Sequence, residues 1–145
     1  MKNPSLAALL KKGDVRPFPA GKSEVEALLK LAGRDLVVAE ELLKNNRLDW
    51  SLAVSYNCVL QTSRAWLFFK GYRPSYGEGH SVVIQFAMAT LEQAFGKEIE
   101  VLDSLRTKRH AVVYEAEGET TEYEAGYALK LAKKFLEFMK KKIGE

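Results

Sequence analysis

Apolar residues recur every three or four positions along most of the chain, which is the spacing that places them on one face of an α-helix. The pattern predicts a short helix that begins after Ser5 and is ended by Gly13, followed by longer helices over 23–45, 50–70, 80–95, 98–115 and 121–142. Gly96 is expected to end the helix over 80–95. No segment shows strand-like alternation of useful length, so the fold class is expected to be all-α.

Polar residues that can hydrogen-bond to nearby backbone groups mark the predicted helix ends. Ser5 is a suitable cap for the first helix, and the prolines and glycine of 14–21 predict a connector after it. Ser23–Glu26 and Thr121–Glu124 both match the capping box, in which the first and fourth side chains each bond a free backbone N–H. Asp49 is a plausible cap for the helix over 50–70.

The joints between the long helices are short, which favours antiparallel neighbours. Four of these long helices joined in this way predict an up-and-down four-helix bundle with a short extra N-terminal helix. The domain division expected is a short helix and connector over 1–22 and a bundle domain over 23–145, within a length typical of one domain. The helix over 50–70 is apolar around much of its circumference, so Trp50 and Trp66 are expected in the core.

The composition is that of a globular protein, with 47% hydrophobic and 28% charged residues and a net charge of +3. The longest apolar run, Ala65–Phe69, is far shorter than the roughly 20 residues that a membrane-spanning helix needs. A single cysteine, Cys58, excludes an internal disulfide, and its apolar neighbours predict an inert buried thiol. These features predict a cytoplasmic protein that does not bind membranes.

Spacing excludes several kinds of site. The Gly-Lys pair at 96–97 lacks the upstream glycine of a phosphate-binding loop, because position 91 is leucine. The residues three before the two histidines are Gly77 and Thr107, which excludes the Glu-x-x-His pattern of di-iron bundles. Two histidines and one cysteine on different helices cannot fill a dedicated zinc site. Neither a metal nor a cofactor is expected.

The last but one predicted helix carries the most informative polar face. The residues that lie within about 80° of arc, at 100° per residue, are Asp103, Arg106, His110 and Tyr114, and Arg109 flanks them. Guanidinium groups bind phosphate through two bonds, and imidazole carries a proton near neutral pH. The face could therefore hold a phosphate backbone and assist proton transfer. A structural alternative pairs Asp103 with Arg106 or Arg109 along the helix and places His110 in the core.

An apolar stripe adjoins that polar face. Val101, Leu105 and Val112 are expected to enter the core, and Ile99 and Leu102 on the same helix are also apolar. The charged stripe is too polar to be buried alone. A two-fold homodimer that pairs the charged stripes around a solvated cleft keeps the charges in contact with water and gives the apolar residues a place to be buried.

Five segments follow one another in an order that is itself informative: Ala39–Leu43, Asp49–Ala53, Arg64–Pro74, Gly79–Ser81 and Leu105–Tyr114. Their order and spacing over roughly 23–140 resemble the HEPN family, small helical domains often paired with minimal nucleotidyltransferases in prokaryotic toxin–antitoxin operons. The resemblance implies a homodimeric helical domain that interacts with nucleotide or RNA and has a nucleotidyltransferase partner.

The ribonucleases of that family carry an arginine, then four to six residues, then a histidine, commonly with a polar residue after the arginine. Here Arg109 matches the arginine and His110 the polar position, while Tyr114 stands where the histidine would be. A tyrosine, with an ordinary pKa near 10, cannot replace histidine as a general base at neutral pH.

The resemblance therefore implies nucleotide or RNA binding by Arg106, Arg109 and His110, and it leaves enzymatic activity open. In one alternative the chain is a metal-independent endoribonuclease with Arg109, His110 and Tyr114 as catalytic residues. In a second alternative it is a non-catalytic helical scaffold.

Overall fold

Helices make up most of the chain, as the apolar periodicity predicts. The computed structural model describes residues 5–77, 79–115 and 120–144, without the side chains of Glu92, Arg106 and 108–115. The elements in chain order are α1 (Leu6–Lys11), β1 (Val15–Pro17), α2 (Lys22–Lys44), α3 (Leu48–Phe69), β2 (Tyr72–Pro74), α4 (His80–Thr90), a π-helical turn (Glu92–Gly96), α5 (Lys97–Glu115) and α6 (Glu122–Gly144).

The central element is α3, which contacts α2, α4, α5 and α6. Small residues on α3 allow α2 to approach closely, and the Ser51 hydroxyl donates a hydrogen bond to the Ala39 carbonyl oxygen at 2.9 Å. Because α2, α3 and α6 also contact one another, the core lies between these three helices and the α4–α5 segment. The all-α class is confirmed, whereas the four-helix up-and-down arrangement stays a prediction.

The core is built from large side chains contributed by α1, α3, α4, α5 and α6. Its fully buried members include Leu60 and Leu67 of α3, Phe86 of α4, Leu102 of α5 and Phe135 of α6. Complete burial of one such side chain stabilises the fold by about 1.5–3 kcal/mol. Among the described helices, none combines the length and the hydropathy that crossing a bilayer requires.

Two short strands that the sequence pattern did not indicate lie among the helices. Strands β1 and β2 pair antiparallel, with Val15 opposite Pro74, Arg16 opposite Arg73 and Pro17 opposite Tyr72. Three residues are too few for an alternating pattern to stand out in the sequence. The pairing forms because the end of α3 returns the chain beside the connector that follows α1.

The end of α4 also differs from the prediction. The helix stops at Thr90 and the chain continues through the π-helical turn into α5, so Gly96 lies inside that turn and does not end a helix over 80–95. The Thr90 hydroxyl donates to the Phe86 carbonyl at 2.7 Å and accepts from the Trp66 indole N–H at 2.8 Å. Phe95 in the turn packs against the Phe135 ring, with ring centroids 5.2 Å apart. These contacts with α3 and α6 decide where α4 ends.

Two predicted caps are confirmed. The Ser5 hydroxyl accepts from the Ala8 N–H at 3.1 Å at the start of α1. At the start of α6, Thr121 and Glu124 form the reciprocal capping box, with bonds of 2.9 and 3.0 Å. Each of these caps joins a side chain to a backbone N–H group three residues away in the chain.

The other two cap predictions were wrong. Helix α2 begins at Lys22, before the predicted box at Ser23–Glu26, and the Glu24 carboxylate accepts from the Gly21 N–H at 3.1 Å. Helix α3 begins at Leu48, so Asp49 lies within its first turn and does not cap it.

The two tryptophans have opposite environments. Trp66 is buried as predicted, but Trp50 is 61% exposed, so its assignment to the core was wrong. Asn57, two helical turns further along α3, is also exposed, so the described elements leave this face of α3 uncovered. Cys58 is fully buried as predicted, and burial raises the pKa of its thiol to about 12.

Candidate functional site

Helix α5, which carries the predicted polar face, is anchored to the core through its first half. Ile99 and Leu102 are buried, and the partly buried Leu105 packs against the core. Val101 is 41% exposed, so the prediction that it enters the core was wrong. Since residues 99, 102 and 105 follow helical spacing, the neighbouring position 101 turns away from the core. The side chain of Val112 lies outside the described residues.

Asp103, the first member of the predicted polar face, contacts α3. The Tyr56 hydroxyl donates a hydrogen bond to Asp103 Oδ1 at 3.3 Å, and Tyr56 itself is buried. One turn further along α5, the Thr107 hydroxyl donates to the Asp103 carbonyl oxygen at 3.1 Å. The carboxylate that begins the polar face therefore has a partner on another helix, which the sequence alone did not indicate.

The remaining predicted site residues also belong to α5. Arg106, Arg109, His110 and Tyr114 follow Asp103 on this helix, and their side chains lie outside the described residues. Their binding and catalytic roles, and the alternative of pairing within the helix, stay predictions.

Two hydrogen bonds fix the direction of α5 relative to α3. Trp66, near the end of α3, bonds Thr90, which precedes α5 by seven residues. Tyr56, ten residues earlier on α3, bonds Asp103, which lies further along the chain. Between Thr90 and Asp103 the chain therefore runs antiparallel to α3, which directs the part of α5 that follows Asp103 toward the start of α3.

A second acidic group lies at that end of α3. Asp49 and Tyr56 are seven residues apart, two helical turns, and therefore share one face of α3. Asp49 Oδ1 is buried and has no hydrogen-bond partner among the described residues. A buried carboxylate oxygen without a partner is unfavourable, so this face can accept a hydrogen bond from a donor brought to it.

The sequence did not indicate that Tyr56 and Asp49 adjoin the polar face. The seven-residue spacing of these two residues places them on one face of α3. It points to the polar face only once α5 is known to pack against that face of α3. Within the described residues, no group of three or more histidine, cysteine, aspartate or glutamate residues could hold a metal ion.

Comparison with known protein families gives a match that spans most of the chain. A family model described as a HEPN domain matches residues 25–143. Comparison with curated proteins and with solved structures gave no match. The match starts and ends close to the boundaries of the helical domain expected from the sequence.

Proposed function

We propose that this chain, which belongs to the HEPN domain family, is a module that binds nucleotide or RNA through the polar face of α5. The observation that carries the proposal is the Tyr56–Asp103 hydrogen bond, which joins the first residue of that face to the buried helix α3. An anchored carboxylate limits rotation of α5 about its axis. By helical spacing, Arg106 and His110 come three and seven residues after this anchor.

The proposed chemistry is recognition of phosphate. Arginine keeps its charge at all physiological pH values and bonds two phosphate oxygens at once. Arg106 and Arg109 are assigned the phosphate contacts, and His110 supplies a further donor when protonated. A cluster of this kind binds an anionic backbone with little dependence on base sequence.

The proposal includes a homodimer in which two polar faces line one cleft. Exposed apolar side chains support an interface, since Val38 of α2 and Trp50 of α3 are both exposed. The Ser51–Ala39 hydrogen bond joins the residues next to them, so the two side chains come from the same end of the α2–α3 pair. A nucleotidyltransferase partner, a toxin–antitoxin or defence setting and a cytoplasmic location complete the proposal, and they rest on the family resemblance.

A titration of fluorescent single-stranded RNA and of AMP at several salt concentrations tests the binding function. Replacing Arg106 and Arg109 with alanine is expected to weaken binding and to reduce the salt-dependence slope by about 1.4 for two lost contacts to a single strand. The matched control is the double change Lys30→Ala/Lys134→Ala, which removes the same charge from exposed positions on α2 and α6. Equal losses in the two double variants would contradict a specific role for α5.

Sedimentation tests the dimer separately. The native protein is expected to sediment as a dimer at micromolar concentration, and Trp50→Lys is expected to shift it toward the monomer, because a charge would enter an apolar interface. Tyr123→Lys is the control, since Tyr123 is an exposed aromatic residue on α6. A monomeric native protein would remove the shared cleft from the proposal.

The second candidate function is metal-independent RNA cleavage. Arg109 and His110 on one helix could supply a cation for the developing phosphorane charge and a proton-transfer group. Tyr114 at the position of the family histidine argues against efficient cleavage. A non-catalytic scaffold is the outcome if neither binding nor cleavage is found.

A further inference from the structure

The two-stranded sheet places two arginines directly opposite each other. Arg16 of β1 pairs with Arg73 of β2, and the side chains of such a cross-strand pair leave the same face with Cβ atoms about 4.5–5.5 Å apart. The flanking residues Val15 and Pro74 are buried, so alternation along the strands directs the arginine pair to the outer face. Arg16 is exposed and Arg73 is half-buried.

Like charges placed opposite each other destabilise a sheet unless an anion lies near them. Within the described part of the chain, neither arginine forms an ion pair. Asp14, which precedes β1, is bound to Lys12 with a separation of 3.9 Å. The sheet therefore brings together two guanidinium groups that have no carboxylate partner among the described residues.

The position of Arg73 is fixed by an aromatic neighbour. Its guanidinium carbon lies 5.2 Å from the centre of the Phe18 ring, and that ring lies 5.1 Å from the ring of Phe68 on α3. Arg73 Nε is buried and has no hydrogen-bond partner among the described residues. A guanidinium held in this way loses less conformational entropy when it binds an anion than a freely moving side chain does.

We propose that the outer face of the two-stranded sheet is a phosphate-binding site formed by Arg16 and Arg73. The two planar groups offer paired N–H donors that match the oxygens of a phosphate mono- or diester. The exposed ring of Tyr76, two residues after β2, is available to stack on a base attached to that phosphate. The ligand class is therefore a phosphate carried by a nucleotide or an RNA backbone, or supplied as a free ion.

This site is separate from the polar face of α5 and does not depend on the proposed function of that face. The sheet follows the end of α3, whereas the part of α5 beyond Asp103 continues toward the start of α3. The 22 residues of α3 span about 33 Å at 1.5 Å per residue. One phosphate cannot reach both sets of arginines.

Calorimetric titration of the full chain with pyrophosphate, AMP and a single-stranded RNA oligomer tests the site. Arg16→Gln is expected to lower the affinity for pyrophosphate about tenfold or more, because one charge-assisted pair of hydrogen bonds is lost. Arg73→Lys is also expected to lower the affinity for pyrophosphate, since lysine keeps the positive charge but lacks the paired N–H donors of the planar guanidinium group. The control Arg47→Gln removes one exposed arginine at the far end of α2 and should leave the affinity unchanged.

The variants also separate this site from α5 and identify the phosphate source. The Arg106→Ala/Arg109→Ala variant removes the site proposed on α5, so the three probes are compared in this background, where Arg16→Gln should still lower the affinity for pyrophosphate about tenfold. Tighter binding of AMP or RNA, lost in Tyr76→Ala, assigns the site to a nucleotide phosphate, whereas equal binding of all three probes assigns it to the free ion. Absence of binding to every probe, or equal affinities in Arg16→Gln and Arg47→Gln, overturns the proposal.

Charge reversal provides a second measurement that does not need a ligand. Arg16→Glu replaces the repulsion across the sheet with an ion pair to Arg73, so it should raise the thermal midpoint of the ligand-free protein while abolishing pyrophosphate binding. A lower midpoint for this exposed position would show that the two arginines do not repel each other, which would remove the basis of the site.

Discussion

The Tyr56 hydroxyl and the Asp103 carboxylate, 47 positions apart in the chain, meet at 3.3 Å and join the buried helix α3 to α5. Tyr56 is 8% exposed, and a buried hydroxyl is favourable only where it has hydrogen-bond partners such as this one. The contact sets the rotation of α5 at the point where its polar face begins. A residue of the candidate binding face is thus also part of the packing between two helices.

Removal of this hydrogen bond is expected to weaken the α3–α5 packing. Tyr56→Phe should lower the free energy of unfolding by about 1 kcal/mol, because a hydrogen bond to a carboxylate is lost, although the 3.3 Å distance makes it a long one. Denaturant unfolding measures the change, and Tyr123→Phe, at an 80% exposed tyrosine, should have no effect. If Asp103→Asn and Tyr56→Phe prove fully additive in a double-mutant cycle, the two groups do not interact in solution.

Gly79 should tolerate alanine much less well than Gly77. Both have positive φ angles, +57° and +53°, in which an L-residue costs about 1–2 kcal/mol. A Cβ at Gly79 would also lie 2.5 Å from Cβ of Pro74, whereas the space around Gly77 is open. Gly79→Ala is therefore expected to cost about 3 kcal/mol and Gly77→Ala about 1 kcal/mol in urea unfolding. Equal costs would mean that the loop moves away from β2 without penalty.

Cys58 should be unreactive in the folded protein. Burial raises the pKa of its thiol to about 12, from an ordinary value of 9.0, so almost no thiolate exists at pH 8. Iodoacetamide is expected to modify the chain only at the rate of unfolding, and quickly once denaturant is added. Rapid labelling of the native protein would show that the packing around Cys58 opens readily.

The same pKa shift predicts a pH effect on stability. Between about pH 9 and 12 the unfolded chain loses the thiol proton while the folded protein retains it, so this group makes stability fall as pH rises through that range. Cys58→Ala removes this contribution, and the gap in unfolding free energy between the native protein and the variant should narrow with increasing pH. A gap that stays constant from pH 8 to 11 would contradict a raised pKa.

Tyr114→His is expected to create or increase ribonuclease activity by restoring the family spacing of arginine, four residues and histidine. General acid–base groups contribute ~10²–10⁴-fold, so a gain of that order over a low native baseline should be visible with a fluorogenic RNA in EDTA. Arg109→Ala in the Tyr114→His background should abolish the gain. If the native protein cleaves RNA rapidly, and His110→Ala but not Tyr114→Phe stops it, the active pair is Arg106 and His110 instead.

Local chemistry was enough to predict the helical segments and two of their ends. Apolar spacing selects a helix because residues three or four apart share a face, and the Thr121–Glu124 capping box closes within three residues. In each case the interacting groups are close in the chain, so the sequence by itself determines the outcome.

Contacts between distant segments decided the rest. Trp50 is exposed because no neighbouring element covers its face of α3 within the described chain, and nothing in its local sequence records that. The Arg16–Arg73 pair and the Tyr56–Asp103 bond both join residues far apart in sequence. Helical or strand periodicity shows which residues share a face, but only the packing of other elements determines what each face meets. The surroundings of a side chain in a folded protein therefore depend on the tertiary structure, even where its secondary structure does not.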